Sequence, residues 1–377
     1  MAIYQTFKGG FVADNTENDT VLIMKPLRKV GILGWGAYIP RYRLKIQELA
    51  NVWSESKERF ELNLGVSEKA VAGPDEDTTT IATEAVKNAI ARAQVNPREL
   101  RAVLVGTESP TYAVKPTGTI VAEAINATPS VLASDLEFAC KAGTEAMEYC
   151  MGLVSSGMIK YGVAVGADVA QSRPGDELEF SAAAGGAAFI IGAKNSSKTI
   201  ATIEASYSYC TDTPDFWRRP TEIYPCHGET FTGEPGYFSH TISCAQTLMN
   251  ELDLKSSDLT YVVFHQPNLK FPLRTSKKLG FTRKQLEPGL LVGEIGNTYS
   301  ASAMLGLAAV LDVAEPNDTI LLVSYGSGAG SDAFYIIVDD GIKEKRELAP
   351  SVRAYIARKK YIDYVTYLKW RKLIKGL

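Results

Sequence analysis

The chain is poor in histidine and cysteine and has no long apolar run, and each shortage narrows its chemistry. Three histidines, His227, His240 and His265, leave few candidates for imidazole catalysis in 377 residues. The five cysteines (Cys140, Cys150, Cys210, Cys226 and Cys244) form no CxxC pair and are odd in number. That argues against a disulfide framework and against a zinc site, so no metal is expected. No apolar stretch approaches the roughly 20 residues that span a bilayer. The opening "MAIYQTFKGGFVADNTENDT" has no basic segment followed by an apolar core. The expectation is a cytoplasmic protein with no membrane span. A GxGxxG turn leading into a helix is missing as well, which removes a nicotinamide-dinucleotide reading.

The formal net charge of −3 conceals an asymmetry: Gly341 to Leu377 holds eleven Lys/Arg against three Asp/Glu, so the rest of the chain is markedly acidic. A body of that sign is not built to bind nucleic acid. Residues 1–28 are polar and aperiodic and read as an N-terminal extension. From "KVGILGWGAYIP" onward, short β-branched runs bounded by glycine alternate with alanine-rich stretches, the pattern of an α/β protein.

The order of elements occurs twice. "RAVLVGTES" is a buried strand with a polar end, followed by a helix and then by Cys140 at the start of another helix; "YGVAVGADVA" and "GGAAFIIG" close that half. "LTYVVFHQPN", "KFPLRTSKKLG" and "GNTYSASAMLGLAAVLDVA" repeat the series, and "DTILLVSYGSGAGSDAFYIIV" closes it. The division is 29–195 and 196–340, followed by a basic aromatic tail, 341–377. Ligands of α/β proteins gather beyond strand C-termini and at helix N-termini, so Glu108, Cys140, His265, Asn297 and Ser327 are predicted to converge.

Each residue also has a plain reading. A lone cysteine is usually packing, but one at a helix start meets free N–H groups and the positive end of the helix dipole, and Lys141 adds positive charge, so a thiolate is expected. His265 ends a buried strand and could be a satisfied core histidine. Glu108 is either a solvated strand-end acid or a base whose pKa burial raises. "SYGSGAG" is a turn that brings backbone close to something, and its N–H groups could share an oxyanion with that of Cys140.

Taken together, "VGTES", "FACKAG", "DFWRRP", "FTGEP", "FHQPN", "IGNTYSAS" and "SYGSGAG" resemble the archaeal type of hydroxymethylglutaryl-CoA synthase, in the thiolase-like superfamily, over about Lys29 to Asp340. The resemblance implies a thiolase-like fold of two duplicated αβ halves in five α-β-α-β-α layers. It also implies a condensation in which acetyl-CoA acylates Cys140, Glu108 removes a methyl proton, and the enolate attacks the ketone of acetoacetyl-CoA. His265 would polarise and protonate that ketone, and water would release the product. Ser181, Thr232, Asn297 and Ser327 match acyl contacts, and Lys270 and Arg274 match contacts to coenzyme A phosphates. Thr230 lies in the same groove, where the family position is expected to be basic. No cofactor is implied beyond the coenzyme A thioesters themselves. Implied partners are a second copy of the chain and, through the tail, an acetoacetyl-CoA thiolase bridged by a zinc-ribbon and OB-fold scaffold protein. The alternatives are a decarboxylating ketoacyl-ACP synthase III, which needs no carboxylate at Glu108, and a non-catalytic thiolase-fold scaffold.

Overall fold

The structure, a computed structural model, describes residues 23–56, 63–169, 172–194, 199–228 and 232–374. Nine strands make one continuous sheet: β1 (Val30–Tyr38), β2 (Leu100–Gly106), β3 (Leu132–Leu136), β4 (Tyr161–Asp168), β5 (Gly185–Ala193), β6 (Ala201–Cys210), β7 (Tyr261–Phe264), β8 (Thr319–Val323) and β9 (Gly330–Val338). Their spatial order is β7-β8-β9-β6-β1-β5-β4-β2-β3.

The duplication is visible in the pairing. β1–β5 and β5–β4 are antiparallel and β4–β2 is parallel. β6–β9 and β9–β8 are likewise antiparallel and β8–β7 is parallel. The halves join where Val30–Ile32 run antiparallel to Ala201–Ile203. β1, β2, β4, β5 and β8 are buried on both faces almost throughout, which is why they read as continuous apolar runs rather than alternating ones.

Helices α1 (Thr78–Ala93), α2 (Ala142–Ser155), α3 (Phe238–Glu251), α4 (Lys270–Lys278) and α5 (Ser302–Leu311) supply the other layers. α1 begins with a capping box in which the Asp77 carboxylate accepts from Thr80 N at 2.8 Å. It lies so close to β1 that a Cβ on Gly36 would stand 2.0 Å from the Ala85 carbonyl oxygen, and only glycine allows that approach. α2 and α5 fill the layer between the halves, with Met147, Cys150, Met304 and Leu307 in one apolar cluster, while α1 and α3 cover the outer faces. The five layers follow.

Both chain ends differ from the expected extensions. Ile23 is buried, and Met24 exchanges backbone hydrogen bonds of 2.8 and 2.9 Å with Ser206, so the fold starts before Lys29; residues 1–22 lie outside the described residues. The segment after Asp340 is folded onto the body as far as it is described. Its last helix, α6 (Tyr364–Trp370), buries Tyr364, Tyr367 and Leu368, and Ile342, Val352, Tyr355 and Ile356 are buried upstream of it. The Arg92 guanidinium of α1 donates to the carbonyls of Arg346, Ala349 and Pro350. Lys360–Tyr361 pairs in parallel with Tyr42–Arg43. The apolar side of this segment therefore faces its own chain. No helix among the described residues is long and apolar enough to cross a membrane.

Candidate active site

The site is assembled at the strand ends where the halves meet. Asp168, the last residue of β4, is fully buried and acts as its hub. One carboxylate oxygen accepts from Thr107 Oγ1 (2.7 Å), Glu108 N (2.9 Å) and Ser109 Oγ (2.6 Å), and the other accepts from Ser300 N (2.9 Å). The end of β2 and the turn leading into α5 are thus tied to one group.

Cys140 stands in a single 3-10 turn, Ala139–Lys141, that leads into α2. Ala139 has φ of 41°, in the left-handed region that an alanine rarely occupies, so the surroundings hold this turn against a local cost of about 1 kcal/mol or more. The thiol is 9 % exposed, packs against Ala182 and Tyr299, and donates to Glu108 Oε1 at 3.1 Å. Burial, and next the Asp168 carboxylate, push the Glu108 pKa up to about 8. Burial and the Glu108 carboxylate push the thiol well above its usual value.

The expectation of a resting thiolate is therefore corrected. Lys141 does not serve the thiol: its ammonium is buried and bonded to Asp332 Oδ1 at 2.9 Å and to Glu145. With that cation neutralised and the carboxylates of Glu108, Asp168 and Asp215 acting on the sulfur, the protonated thiol is the favoured form.

His265 follows β7 and is 1 % exposed. Its ring lies 6.4 Å, centroid to centroid, from both Tyr237 and Tyr325, and Nδ1 is buried without a hydrogen-bond partner. Burial lowers its pKa to about 3, so the imidazole is neutral. It can donate an N–H hydrogen bond, but it is not a charged acid, and the implied proton-donating role is narrowed accordingly. Its carbonyl accepts from the Tyr237 hydroxyl at 2.7 Å, which holds the strand end in place.

The glycine turn between β8 and β9 is seated against the Cys140 turn. A Cβ on Gly326 would meet Phe138 O at 2.5 Å and Lys141 N at 2.9 Å. Asp215, the first residue of "DFWRRP", accepts from Gly328 N at 2.7 Å and from the Tyr325 hydroxyl. Ser327 lies in this turn, and Thr232 Oγ1 donates to the Asp215 carbonyl at 3.3 Å. Asn297 and Ser181 are joined by backbone: Asn297 N donates to Ser181 O at 2.7 Å, and Ala183 N to Asn297 O at 2.9 Å. Asn297 Oδ1 also accepts from Tyr299 N. Lys270 and Arg274 are exposed on α4; Arg274 stands 4.0 Å from Glu234 and over the Phe238 ring at 4.5 Å. Thr230 lies outside the described residues.

Sequence reasoning missed Asp168 and the role of Asp215. Asp168 carries the signal that singled out Glu108, a carboxylate ending the apolar strand "VAVGAD". All five cysteines are free, and no group of three or more His, Cys, Asp or Glu among the described residues is arranged to hold a metal.

Solved structures share this architecture. A structure of MvaS in complex with 3-hydroxy-3-methylglutaryl coenzyme A superposes with a TM-score of 0.84, 22% identity and 92% coverage of both chains. The 3-oxoacyl-(acyl carrier protein) synthase III of Pseudomonas aeruginosa superposes with a TM-score of 0.76 and 19% identity, covering 83% of this chain and 99% of that one. Residues 249–336 match the family described as 3-oxoacyl-[acyl-carrier-protein (ACP)] synthase III C terminal. The fold is that of the thiolase-like condensing enzymes. Within that class the sequence is more specific. It is 58% identical to a hydroxymethylglutaryl-CoA synthase of Thermococcus onnurineus over 93% of this chain and 98% of that one. It is 56% identical to one of Methanopyrus kandleri over 93% and 100%. The chain belongs to the hydroxymethylglutaryl-CoA synthase family.

Proposed function

We propose that this enzyme condenses acetyl-CoA with acetoacetyl-CoA and water to 3-hydroxy-3-methylglutaryl-CoA, the reaction of that name in the mevalonate route to isoprenoids, with Cys140, Glu108 and His265 as its catalytic residues. The observation that carries the assignment of roles is the 3.1 Å contact between Cys140 Sγ and Glu108 Oε1. As the sulfur attacks the acetyl carbonyl, the Glu108 carboxylate takes the thiol proton and returns it to the departing coenzyme A sulfur. A thioester on Cys140 keeps the methyl protons acidic enough for the same carboxylate to remove one. The enolate then adds to the ketone carbon of acetoacetyl-CoA. Neutral His265 donates an N–H hydrogen bond to the ketone oxygen, and the resulting alkoxide regains the proton that Glu108 removed. Water, deprotonated by Glu108, releases the product, and the proton passes to the Cys140 sulfur.

Ser181, Asn297, Thr232 and Ser327 surround the acyl groups in this reading, with the backbone N–H groups of Cys140 and the glycine turn toward the thioester oxygen. Lys270 and Arg274 meet the phosphates of coenzyme A. The carboxylate beside the thiol favours this reading over a decarboxylating synthase, which makes its carbanion without a base. Glu108→Ala tests the roles. Loss of the carboxylate removes the base of both steps but also lowers the thiol pKa, so acetylation of Cys140 slows yet still goes to completion, while single-turnover condensation from the pre-acetylated enzyme falls by about 10²–10⁴-fold; condensation from pre-acetylated Glu108→Ala at the wild-type rate contradicts the role of Glu108 as methyl-proton base.

A homodimer is part of the proposal, supported by the outer edge of β3, which pairs with no further strand among the described residues, and the 54% exposure of Leu132 on it. The likeness to archaeal relatives extends it to a cytoplasmic complex with acetoacetyl-CoA thiolase and a zinc-ribbon and OB-fold scaffold protein. A native mass measurement on protein purified from its own host checks both.

A further inference from the structure

The C-terminal helix reaches the active site through one buried carboxylate. Tyr364, in the first turn of α6, is 3 % exposed, and its hydroxyl faces both oxygens of fully buried Glu179, at 2.9 and 3.0 Å. The indole N–H of Trp53 donates to the same hydroxyl at 3.2 Å, which leaves the Tyr364 proton directed at Glu179. Glu179 also accepts from Gly175 N at 2.8 Å, and its backbone carbonyl accepts from the buried Lys69 ammonium. That ammonium lies 4.9 Å from the centre of the Tyr367 ring, so α6 touches this group twice.

Glu179 belongs to a one-turn helix, Glu177–Phe180, that runs straight into the acyl side of the site. Ser181 and Ala182 hydrogen-bond back to Leu178 within that turn. Ala182 packs on Cys140, and Ser181 O receives the Asn297 backbone N–H. The fit is tight, since a Cβ on Gly296 would meet Ser181 O at 2.6 Å and the Lys69 Cβ at 3.0 Å. A displacement of the turn is therefore carried to Ser181 and Asn297 together.

We propose that Tyr364 is a positioning residue for the second, four-carbon acyl substrate, acting through Glu179 to hold the Glu177–Phe180 turn and, with it, Ser181 and Asn297. This rests on the reading that Ser181 and Asn297 face that acyl group. Tyr364→Phe removes one hydroxyl and keeps the ring that stacks on Tyr367.

The full-length enzyme is assayed for three quantities: the rate of Cys140 acetylation by acetyl-CoA, the KM for acetoacetyl-CoA, and Tm. In Tyr364→Phe the KM for acetoacetyl-CoA is expected to rise about fivefold while acetylation stays within about twofold, because a small displacement of positioning groups weakens what they hold before it touches the nucleophile. Leu368→Ala, a packing change on the same helix, is expected to lower Tm and leave that KM at its wild-type value. A wild-type KM in Tyr364→Phe overturns the inference, as does an equal rise in Leu368→Ala, which makes the effect one of stability alone. Asn297→Ala separates the two levels. If it leaves the KM unchanged, the acyl-contact reading fails; if it raises the KM and Tyr364→Phe does not, only the role of Tyr364 fails.

Discussion

Glu108 and Cys140 are two acids in one poorly solvated place, and the environment decides which of them releases its proton. The carboxyl titrates near pH 8 and the thiol well above its usual range. A carboxyl group is an effective base only when ionised, so turnover should rise as pH increases through about 8. Asp168 is the largest electrostatic contributor to that elevation after burial. Asp168→Asn removes a negative charge, lowers the Glu108 pKa, and should move the rising limb of kcat against pH to lower pH by about one unit. An unmoved limb would mean that Asp168 acts only as a hydrogen-bond hub. At this scale the sequence was partly legible. A carboxylate ending an apolar strand is a usable signal, and it singled out Glu108 but was not applied to Asp168. The state of Lys141 was only half legible from its neighbours: Glu145 stands four residues on, but Asp332, which also holds its ammonium, lies 191 residues along the chain.

Between elements, the active site depends on how closely two turns approach. The glycine turn after β8 touches the Cys140 turn through Gly326, where a methyl group would press on backbone atoms of Phe138 and Lys141 that have nowhere to move. Gly326→Ala should therefore cut the rate of Cys140 acetylation by about 10²-fold, a loss that misplacing reacting groups by about 1 Å can cause. Single-turnover kinetics checks it. Repetitive glycine in "SYGSGAG" marked a close backbone approach in the sequence, and the structure supplies the surface it approaches. The one-turn helix Glu177–Phe180 had no such mark, since four residues are too few for a periodic pattern.

For the molecule as a whole, the order of strands and helices was legible because each half repeats the same apolar series. The joining of the halves into one nine-stranded sheet was not, since it rests on three residue pairs between β1 and β6. Nor was the packing of the C-terminal segment: helical spacing of Tyr, Ile and Leu shows an apolar face, and nothing local says what that face covers. Seven apolar side chains beyond Asp340 are buried on the body. At about 1.5–3 kcal/mol each, their burial is comparable to or larger than the roughly 5–15 kcal/mol net stability of a domain. A chain truncated after Asp340 should not reach the folded state, as circular dichroism and gel filtration would show; a compact, active truncation product would refute the assignment of this segment to the core. The most direct test of the account as a whole is peptide mass mapping of the protein after brief exposure to acetyl-CoA alone. One acetyl group is predicted, on Cys140 and absent from Cys140→Ser, released when acetoacetyl-CoA is added as 3-hydroxy-3-methylglutaryl-CoA appears. No acetyl group on Cys140 in a preparation that still forms that product, or acetylation of another cysteine instead, would contradict it.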